Sequence, residues 1–475
     1  MNIRNNPFTA FDYHLPVQNW FYPFDEESEP RYKTKVITSE EAFDGLSLKD
    51  VSGNTALYFH IPFCESLCTF CALPKQICTN EKIIDEYVYA LIEEIKMKSK
   101  YSIISKTKIN SIFFGGGTPS LLSPEQILRI GEAINFYFDL SEMKEFSFES
   151  SPKTVTLEKA QALRDIGVTH PRIGVQTLNP KYRKHFNLIS TTDDVKNAVS
   201  IYNSIFEFLN IDIIYGMHGQ TIDELIIDLN EAAQLDSKLI DFYPLNNPCS
   251  QPKMDQNFKR ANLKPLTGMT KHGYNIIGRE VLMAHGYFPH NGHGYVKIGK
   301  ENIDRNKVTT DKYSFQYHES HYGYETDSII GFGAGAVSVI GKVALTNNDN
   351  ENEYIRKLTT GLNLSVTKQV TDDETLAAKG LVTHLAYHSI VEKSKINFNK
   401  VHPNTLESLK LSISNGLVIE KNDTYELTHL GWQWYVSMLY YLSSKDQQIA
   451  LDKAINSRIK SGRMEIEQCN NQICF

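Results

Sequence analysis

Apolar residues recur along the chain in two alternating rhythms. Short runs rich in apolar and aromatic residues occupy 56–62, 109–114, 145–149, 171–176, 211–216 and 239–245. Runs of this length, bounded by Gly, Pro or polar residues, predict buried strands. Between them, 80–100, 157–165, 192–208 and 222–234 carry apolar residues at helical spacing. Strands alternating with helices predict parallel βαβ units. Right-handed crossovers curl such units into an open or closed barrel.

Polar residues fall near the ends of these strands: a cysteine loop after the first, then Thr118, Glu149, Gln176, Asp212 and Tyr243. A parallel barrel places its active site at that end. One strand-end Glu or Gln is more often a structural residue. Several on successive strands predict a lined cavity.

Composition adds boundaries. The chain has 475 residues, 41% hydrophobic and 22% charged, with net charge −7. These values fit a globular protein of two or three domains. No apolar run approaches the ~18–20 residues of a membrane span, and the first residues lack a secretory h-region. A mildly acidic chain does not bind nucleic acid by neutralising phosphates. The expectation is a cytoplasmic protein with no membrane span and no nucleic-acid partner.

Seven cysteines, unevenly spread, do not form a disulfide framework. Three of them cluster as Cys64-Glu-Ser-Leu-Cys68-Thr-Phe-Cys71. Structural zinc wants four ligands, usually as two separated pairs, and no second pair closes this site. Iron–sulfur clusters are held by cysteine thiolates, normally four. Three thiolates on one loop would leave one iron open to chelation by an amine and a carboxylate. S-adenosylmethionine (SAM) offers both, so the CxxxCxxC spacing reads as a radical SAM signature. Cys78 and Cys249 read as buried thiols, and Cys469 and Cys474 as a tail.

The second predicted strand runs into Gly115-Gly116-Gly117-Thr118-Pro119. Glycines there let backbone approach a ligand closely. The run matches neither GxxxxGK[ST] nor GxGxxG, so a nucleotide-phosphate loop is excluded. The remaining readings are a tight strand-to-helix turn and a contact to the methionyl part of SAM.

Taken in order, Tyr58-Phe-His-Ile-Pro-Phe-Cys64, the cysteine loop, Gly-Gly-Gly-Thr-Pro, Ile173-Gly-Val-Gln176 and Asp212-Ile-Ile-Tyr-Gly resemble the radical SAM branch around oxygen-independent coproporphyrinogen III oxidase. The resemblance runs from about residue 56 to 345. It includes the glycine-rich stretch 330–336. It implies an α/β fold with a partial parallel (β/α)6-type barrel. An N-terminal extension over 1–55 precedes a core over 56–345. A small, mostly helical, winged-helix-like domain over 346–475 follows. It further implies that Cys64, Cys68 and Cys71 ligate a [4Fe–4S] cluster, flanked by Tyr58 and Phe70. Gly116, Gly117 and Thr118 would contact SAM, with Glu149, Gln176 and Asp212 lining its site. Tyr58, Glu149 and Gln176 would stand nearest the reacting atoms. Gly333, Ala334 and Ala336 would lie near a second SAM. The implied chemistry is reductive cleavage of SAM to a 5′-deoxyadenosyl radical that abstracts hydrogen. An electron donor such as flavodoxin or ferredoxin would feed the cluster.

Several departures bear on the reaction. Leu73 stands where the decarboxylase carries a further cysteine. Leu188 stands where the family has an arginine for a SAM carboxylate, with Arg183, Lys184 and His185 nearby. About 56 residues precede the first strand, including an aromatic run at 20–24, whereas a haem chaperone begins almost at that strand. His285, His290 and His293 concentrate in one glycine-rich segment. They are either ligands or acid/base groups near a substrate, or solvated imidazoles on a turn. Three functions follow. The first is radical methyl or methylene transfer from a second SAM to an sp² carbon of a natural product. The second is tetrapyrrole chemistry, either coproporphyrinogen III decarboxylation or anaerobic haem opening. The third is haem carriage without catalysis. The expected substrate is a small molecule, either a natural product or a tetrapyrrole.

Overall fold

The computed structural model describes residues 8, 34–71, 73–245 and 252–460. The aromatic run at 20–24 and Cys249, Cys469 and Cys474 lie outside the described residues.

One mixed sheet of thirteen strands organises the molecule. In chain order its strands are β1 (Thr34–Thr38), β2 (Thr55–Ile61), β3 (Ser111–Gly116), β4 (Glu145–Ser150), β5 (His170–Gln176), β6 (Asn210–Tyr215) and β7 (Leu239–Pro244). Then come β8 (Tyr287–Pro289), β9 (Gly294–Lys297), β10 (Ser328–Phe332), β11 (Val337–Ile340), β12 (Val343–Asn347) and β13 (Ser365–Val370). Strands β2 to β7 lie side by side in parallel, as the alternation predicted. Their crossovers include α1 (Glu81–Lys98), α2 (Pro124–Tyr137), α3 (Leu157–Asp165), α4 (Thr192–Asn203) and α5 (Ile222–Gln234), and α6 (Gly268–Ala284) follows β7.

The sheet does not stop at six strands. Strand β10 adds in parallel to β2, and β11, β12, β13 and β1 extend that edge antiparallel. On the other side β9 pairs antiparallel with β7, and β8 with β9. The order is linear from β1 to β8, so the barrel stays open among the described residues. Strand β1 comes from the predicted N-terminal extension and β13 from beyond residue 346. After β13 the chain is helix-rich, with Pro403–Ser414, Tyr435–Leu442 and Lys445–Lys460 beside a small sheet of three strands.

Period-two alternation on β2 sorts its side chains. Phe59 stacks between Phe114 and Phe332, at 4.6 and 4.9 Å between ring centroids. Phe114 stacks in turn on Phe148. All four rings are buried. Each contributes about 1.5–3 kcal/mol from area removed from water. The opposite face of β2 presents Tyr58 and His60 toward the interior of the open barrel.

Helix α2 went unpredicted, yet Ser123 and Gln126 close a capping box around Pro124 at its start. The stretch predicted as helical to residue 208 ends at Asn203. There the amides of Ile205 and Phe206 both turn back to the carbonyl of Tyr202.

Candidate functional site

The open end of the barrel holds two adjoining cavities. The first, of about 230 Å³, is lined by Cys64, Cys68, Cys71, Phe70, the 116–118 turn, Glu149, Arg172, Gln176 and Asp212. The second, of about 250 Å³, shares Phe70, Cys71, Leu73, Glu149, Gln176 and Asp212. It adds Tyr243, His293, His318 and Tyr322. Strand-end residues far apart in sequence therefore converge, as a parallel arrangement requires.

Backbone hydrogen bonds pin the cysteine loop. The Gly117 amide donates to the Ile61 carbonyl and the Thr118 amide to that of Phe63, both at 2.7 Å. The Gln76 amide donates to Pro62 at 2.8 Å, closing the loop base. Asn187 clamps the loop from the β5 side, donating to Leu67 O at 3.0 Å and Ser66 Oγ at 2.8 Å. A Cβ at Gly117 would stand 2.6 Å from Phe63 O and 2.9 Å from Ile61 O. Both neighbours are backbone and cannot yield, so glycine is required there. Gly116 needs it too, at φ +111°.

The three thiols are free of disulfides and share one cavity. Burial and the neighbouring Cys71 and Cys64 push the Cys68 thiol up to about 12. Burial also raises Cys64, and the Thr118 hydroxyl, donating to its Sγ at 3.5 Å, offsets part of the rise. Three converging thiols with no mutual bond fit the three-cysteine ligation of a [4Fe–4S] cluster. Cys64, Cys68 and Cys71 would hold it, and the 116–118 turn with Glu149, Gln176 and Asp212 would face SAM. When bound, cluster and SAM supply reductive C–S cleavage and hydrogen abstraction.

A buried charge network forms the cavity floor. Arg172 on β5 bonds both Asp212 on β6, at 3.2 Å, and Asp241 on β7. Its guanidinium also lies 4.7 Å over the Phe315 ring. Tyr243 donates to Asp241 at 3.1 Å. Burial pushes Asp212 up, against the pull of Arg172, whereas Arg172 and the nearby His293 and His290 hold Asp241 low. Glu149 is pushed up to about 8 by burial and by Asp212, with Arg172 offsetting part. Near neutrality Glu149 is thus largely a carboxylic acid, able to donate a hydrogen bond to a bound ligand.

That shift carries a pH signature. A carboxyl raised from 4.5 to about 8 stabilises the fold fully at low pH. The contribution is lost as pH rises through that window, because the unfolded chain releases its proton first. The E149Q variant of the cluster-free chain is expected to gain on the order of a few kcal/mol over wild type at pH 8, and little at pH 5. Urea unfolding at both pH values checks this; equal gains at the two would refute it.

Gln176 ends β5 at φ +68°, an unusual conformation for a non-glycine residue. The β5–β6 register breaks between Ile173 and Gln176. The break turns the end of β5 into both cavities. Phe70 also lines both and packs edge-on against Phe186.

Tyr58 and the 333–336 stretch line neither cavity. His60 Nε2 donates to the Pro74 carbonyl at 2.9 Å, so its Nδ1 accepts from the Tyr58 hydroxyl at 2.9 Å. Tyr58 stacks on Phe113 behind the cysteine loop. The Gly333 amide donates to Glu94 at 2.7 Å, and the Ala334 amide to the Tyr87 hydroxyl at 2.9 Å. Glu94 also holds Lys98, Asn347 and Tyr354. Gly333 and Ala334 are thereby fixed in a buried polar hub, and Ala336 is buried beside them.

Three expectations need correction. His290 and His293 are not solvated: they are 5% and 2% exposed. Burial lowers both, to about 3 and about 4. Only His285 of the three reaches the surface region, where it meets Asn230 at 2.7 Å. Arg183 does not stand in for the missing arginine at Leu188. Its guanidinium is spent on the carbonyls of Val175, Thr177 and Ser190. Cys78 is half-buried rather than fully buried.

Arg172, Asp241, His318 and Tyr322 were not foreseen. Arg172 and Asp241 had a signal: each interrupts an apolar strand, where a charge must be paired. His318 and Tyr322 had none, since they reach the cavity from α7 (Gln316–His321) and its end.

Residues 58–232 match the Radical SAM superfamily. The chain is 27% identical over 388 residues to the haem chaperone HemW of Bacillus subtilis, covering 79% of this chain and 95% of that one. It is 25% identical over 376 residues to the oxygen-independent coproporphyrinogen III oxidase of Bradyrhizobium diazoefficiens, covering 75% and 80%. The structure of coproporphyrinogen III oxidase (HemN) from Escherichia coli superposes with TM-score 0.69 at 20% identity, covering 92% of this chain and all of that one. That likeness concerns the fold. The cysteine loop, the open parallel sheet and these matches together identify a radical SAM domain over residues 58–232, in a chain similar over most of its length to HemW and oxygen-independent coproporphyrinogen III oxidase.

Proposed function

We propose that this chain is a radical SAM enzyme acting on a tetrapyrrole. The observation that carries the reading is the second cavity. It continues from the cysteine-lined cavity through six shared residues and is walled by rings of Phe70, Tyr243, His293 and Tyr322. Aromatic walls suit a flat macrocycle. His293 is buried there with neither ring nitrogen hydrogen-bonded, and His318 Nδ1 is also unpartnered. Buried imidazoles without partners suit pyrrole N–H groups, propionates or a haem iron. Relatives named as haem chaperones and coproporphyrinogen oxidases support the same substrate class.

Radical methyl transfer, the first expectation, has no support in those relatives, and the tetrapyrrole reading replaces it. The proposal takes one SAM at the cysteine loop and an external one-electron reductant. No described helix is long and apolar enough to cross a membrane.

The test is anaerobic. The reconstituted chain is given dithionite, SAM, and haem or coproporphyrinogen III. Expected are a shifted tetrapyrrole absorption and 5′-deoxyadenosine that rises with the tetrapyrrole, without S-adenosylhomocysteine. A Soret shift with no 5′-deoxyadenosine would make the chain a carrier. S-Adenosylhomocysteine rising in step with 5′-deoxyadenosine would restore methyl transfer from a second SAM.

A further inference from the structure

Behind the second cavity lies a group of side chains that the proposed chemistry does not use. Glu319 on α7 faces His384 and His388 on α8 (Asp373–Lys379), which continues through Gly380–His384 and Leu385–His388. One donor atom from each residue lies within 4.8 Å of the others. His388 Nδ1 is 3.4 Å and His384 Nδ1 3.8 Å from the two Glu319 oxygens. Donors around a tetrahedral cation at 2.0–2.2 Å stand about 3.4 Å apart. Closing the site therefore asks for shifts of about 1 Å or less.

The arrangement is built into the fold. Gly380–His384 is a π-helical turn, a feature that concentrates at functional sites. Thr383 donates to the Tyr322 carbonyl at 2.9 Å, and Tyr322 stacks on Tyr387 at 4.1 Å and 4°. These contacts fix α8 against the end of α7. Ser314 donates to Glu319 and orients its carboxylate, as outer-shell partners of metal ligands do.

Both imidazoles are 7% exposed, and His384 Nδ1, the nitrogen that faces Glu319, makes no hydrogen bond. Buried polar atoms left without a partner call for a ligand. Glu319 is 23% exposed at its side chain, which leaves a way in for an ion. Two lysines of the region are engaged elsewhere: Lys379 on the Tyr324 carbonyl and Lys395 on Glu392.

We propose that Glu319, His384 and His388 bind one divalent first-row transition metal ion, separate from the cysteine site. Two imidazoles and a carboxylate suit zinc or ferrous iron and leave further positions for water. The ion clamps α7 to α8. His318 and Tyr322, on the neighbouring residues of α7 and its end, face the second cavity. The metal thereby positions two residues of the substrate wall. The inference does not depend on the identity of the substrate.

The test uses the full chain with Cys64, Cys68 and Cys71 replaced by alanine, so that no cluster contributes. The protein is equilibrated with Zn²⁺, dialysed, and its metal measured. About one zinc per chain is expected. H388N or E319Q added to this background is expected to weaken zinc binding at least tenfold (about 10–100-fold) with unchanged far-UV circular dichroism. A second reading guards against misfolded variants: Co²⁺ added to the chain lacking only Cys64, Cys68 and Cys71 is expected to give visible d–d bands without sulfur charge transfer. Zinc retained equally by H388N and E319Q, or the absence of both zinc and cobalt signals, overturns the proposal and leaves a plain Glu–His contact.

Discussion

Replacing Arg172 with methionine is expected to destabilise the chain by about 3–5 kcal/mol, the cost of removing one partner from a buried ion pair. Arg172 is 4% exposed and is the shared partner of Asp212 and Asp241, themselves buried or nearly so. Methionine keeps the packing under Phe315 but leaves two carboxylates facing each other in low dielectric. They would take up protons, so the loss is expected to grow as pH rises. Adding D241N to R172M removes one of the stranded charges and is expected to return part of the stability. Urea unfolding of the cluster-free chain at pH 7 measures both. A loss under about 1 kcal/mol for R172M would mean that water reaches the network and screens it.

Cys68→Ala is expected to give the largest functional loss. The three thiols of the loop make no disulfide and share one cavity. Removing one of three ligands leaves a cluster with two protein anchors. Iron content after anaerobic reconstitution, and 5′-deoxyadenosine formed with dithionite and SAM, are expected to fall roughly 100-fold or more, at or beyond the upper end of losses seen for outer-shell substitutions. The cluster-free fold is expected to unfold at the same denaturant concentration as wild type, because Cys68 bonds nothing that the fold relies on. Cys78→Ser is the control: Cys78 lines neither cavity, and its iron content is expected to match wild type. Full iron and undiminished 5′-deoxyadenosine in the Cys68 variant would remove the cysteine loop from the chemistry.

Much of the core was legible because its signals are local. The runs at 56–62, 145–149 and 239–245 are strands within a residue or so of the predicted bounds, since a strand buried on both faces must be apolar along its length. The capping box at Thr221 and Glu224 likewise starts α5 where the periodicity placed it. The extra strands were not legible. Strand β1 exposes Val36, and β13 is half-polar, so neither carries a burial pattern by itself. Each is a strand because it pairs at the growing edge of the sheet. The solvated reading of His290 and His293 failed for a related reason. Glycines beside them suggested a surface turn, but Asn291 Oδ1 accepts from the amides of His293 and Gly294 and folds that turn inward.

By itself the sequence determined the chemistry class and the parallel strands. Three cysteines at fixed spacing and a glycine turn after a strand are short-range patterns, and covalent connectivity keeps them together in any fold that forms. Only the tertiary structure decided what shares a cavity with them. Arg172, Asp212 and Asp241 sit on three successive strands: the register sets Asp212 level with Asp241, and Arg172 level with Asn210, two residues from Asp212 on the same face, within reach of both carboxylates. His293, in the turn just before β9, and His318 on α7 join the wall more than two hundred residues after the cysteine loop. Glu319, His384 and His388 meet because the Tyr322–Tyr387 stack docks one helix on another. Contacts of that separation have no local signature. They exist because burying the surrounding apolar surface leaves these polar groups only one another, or a ligand, to bond.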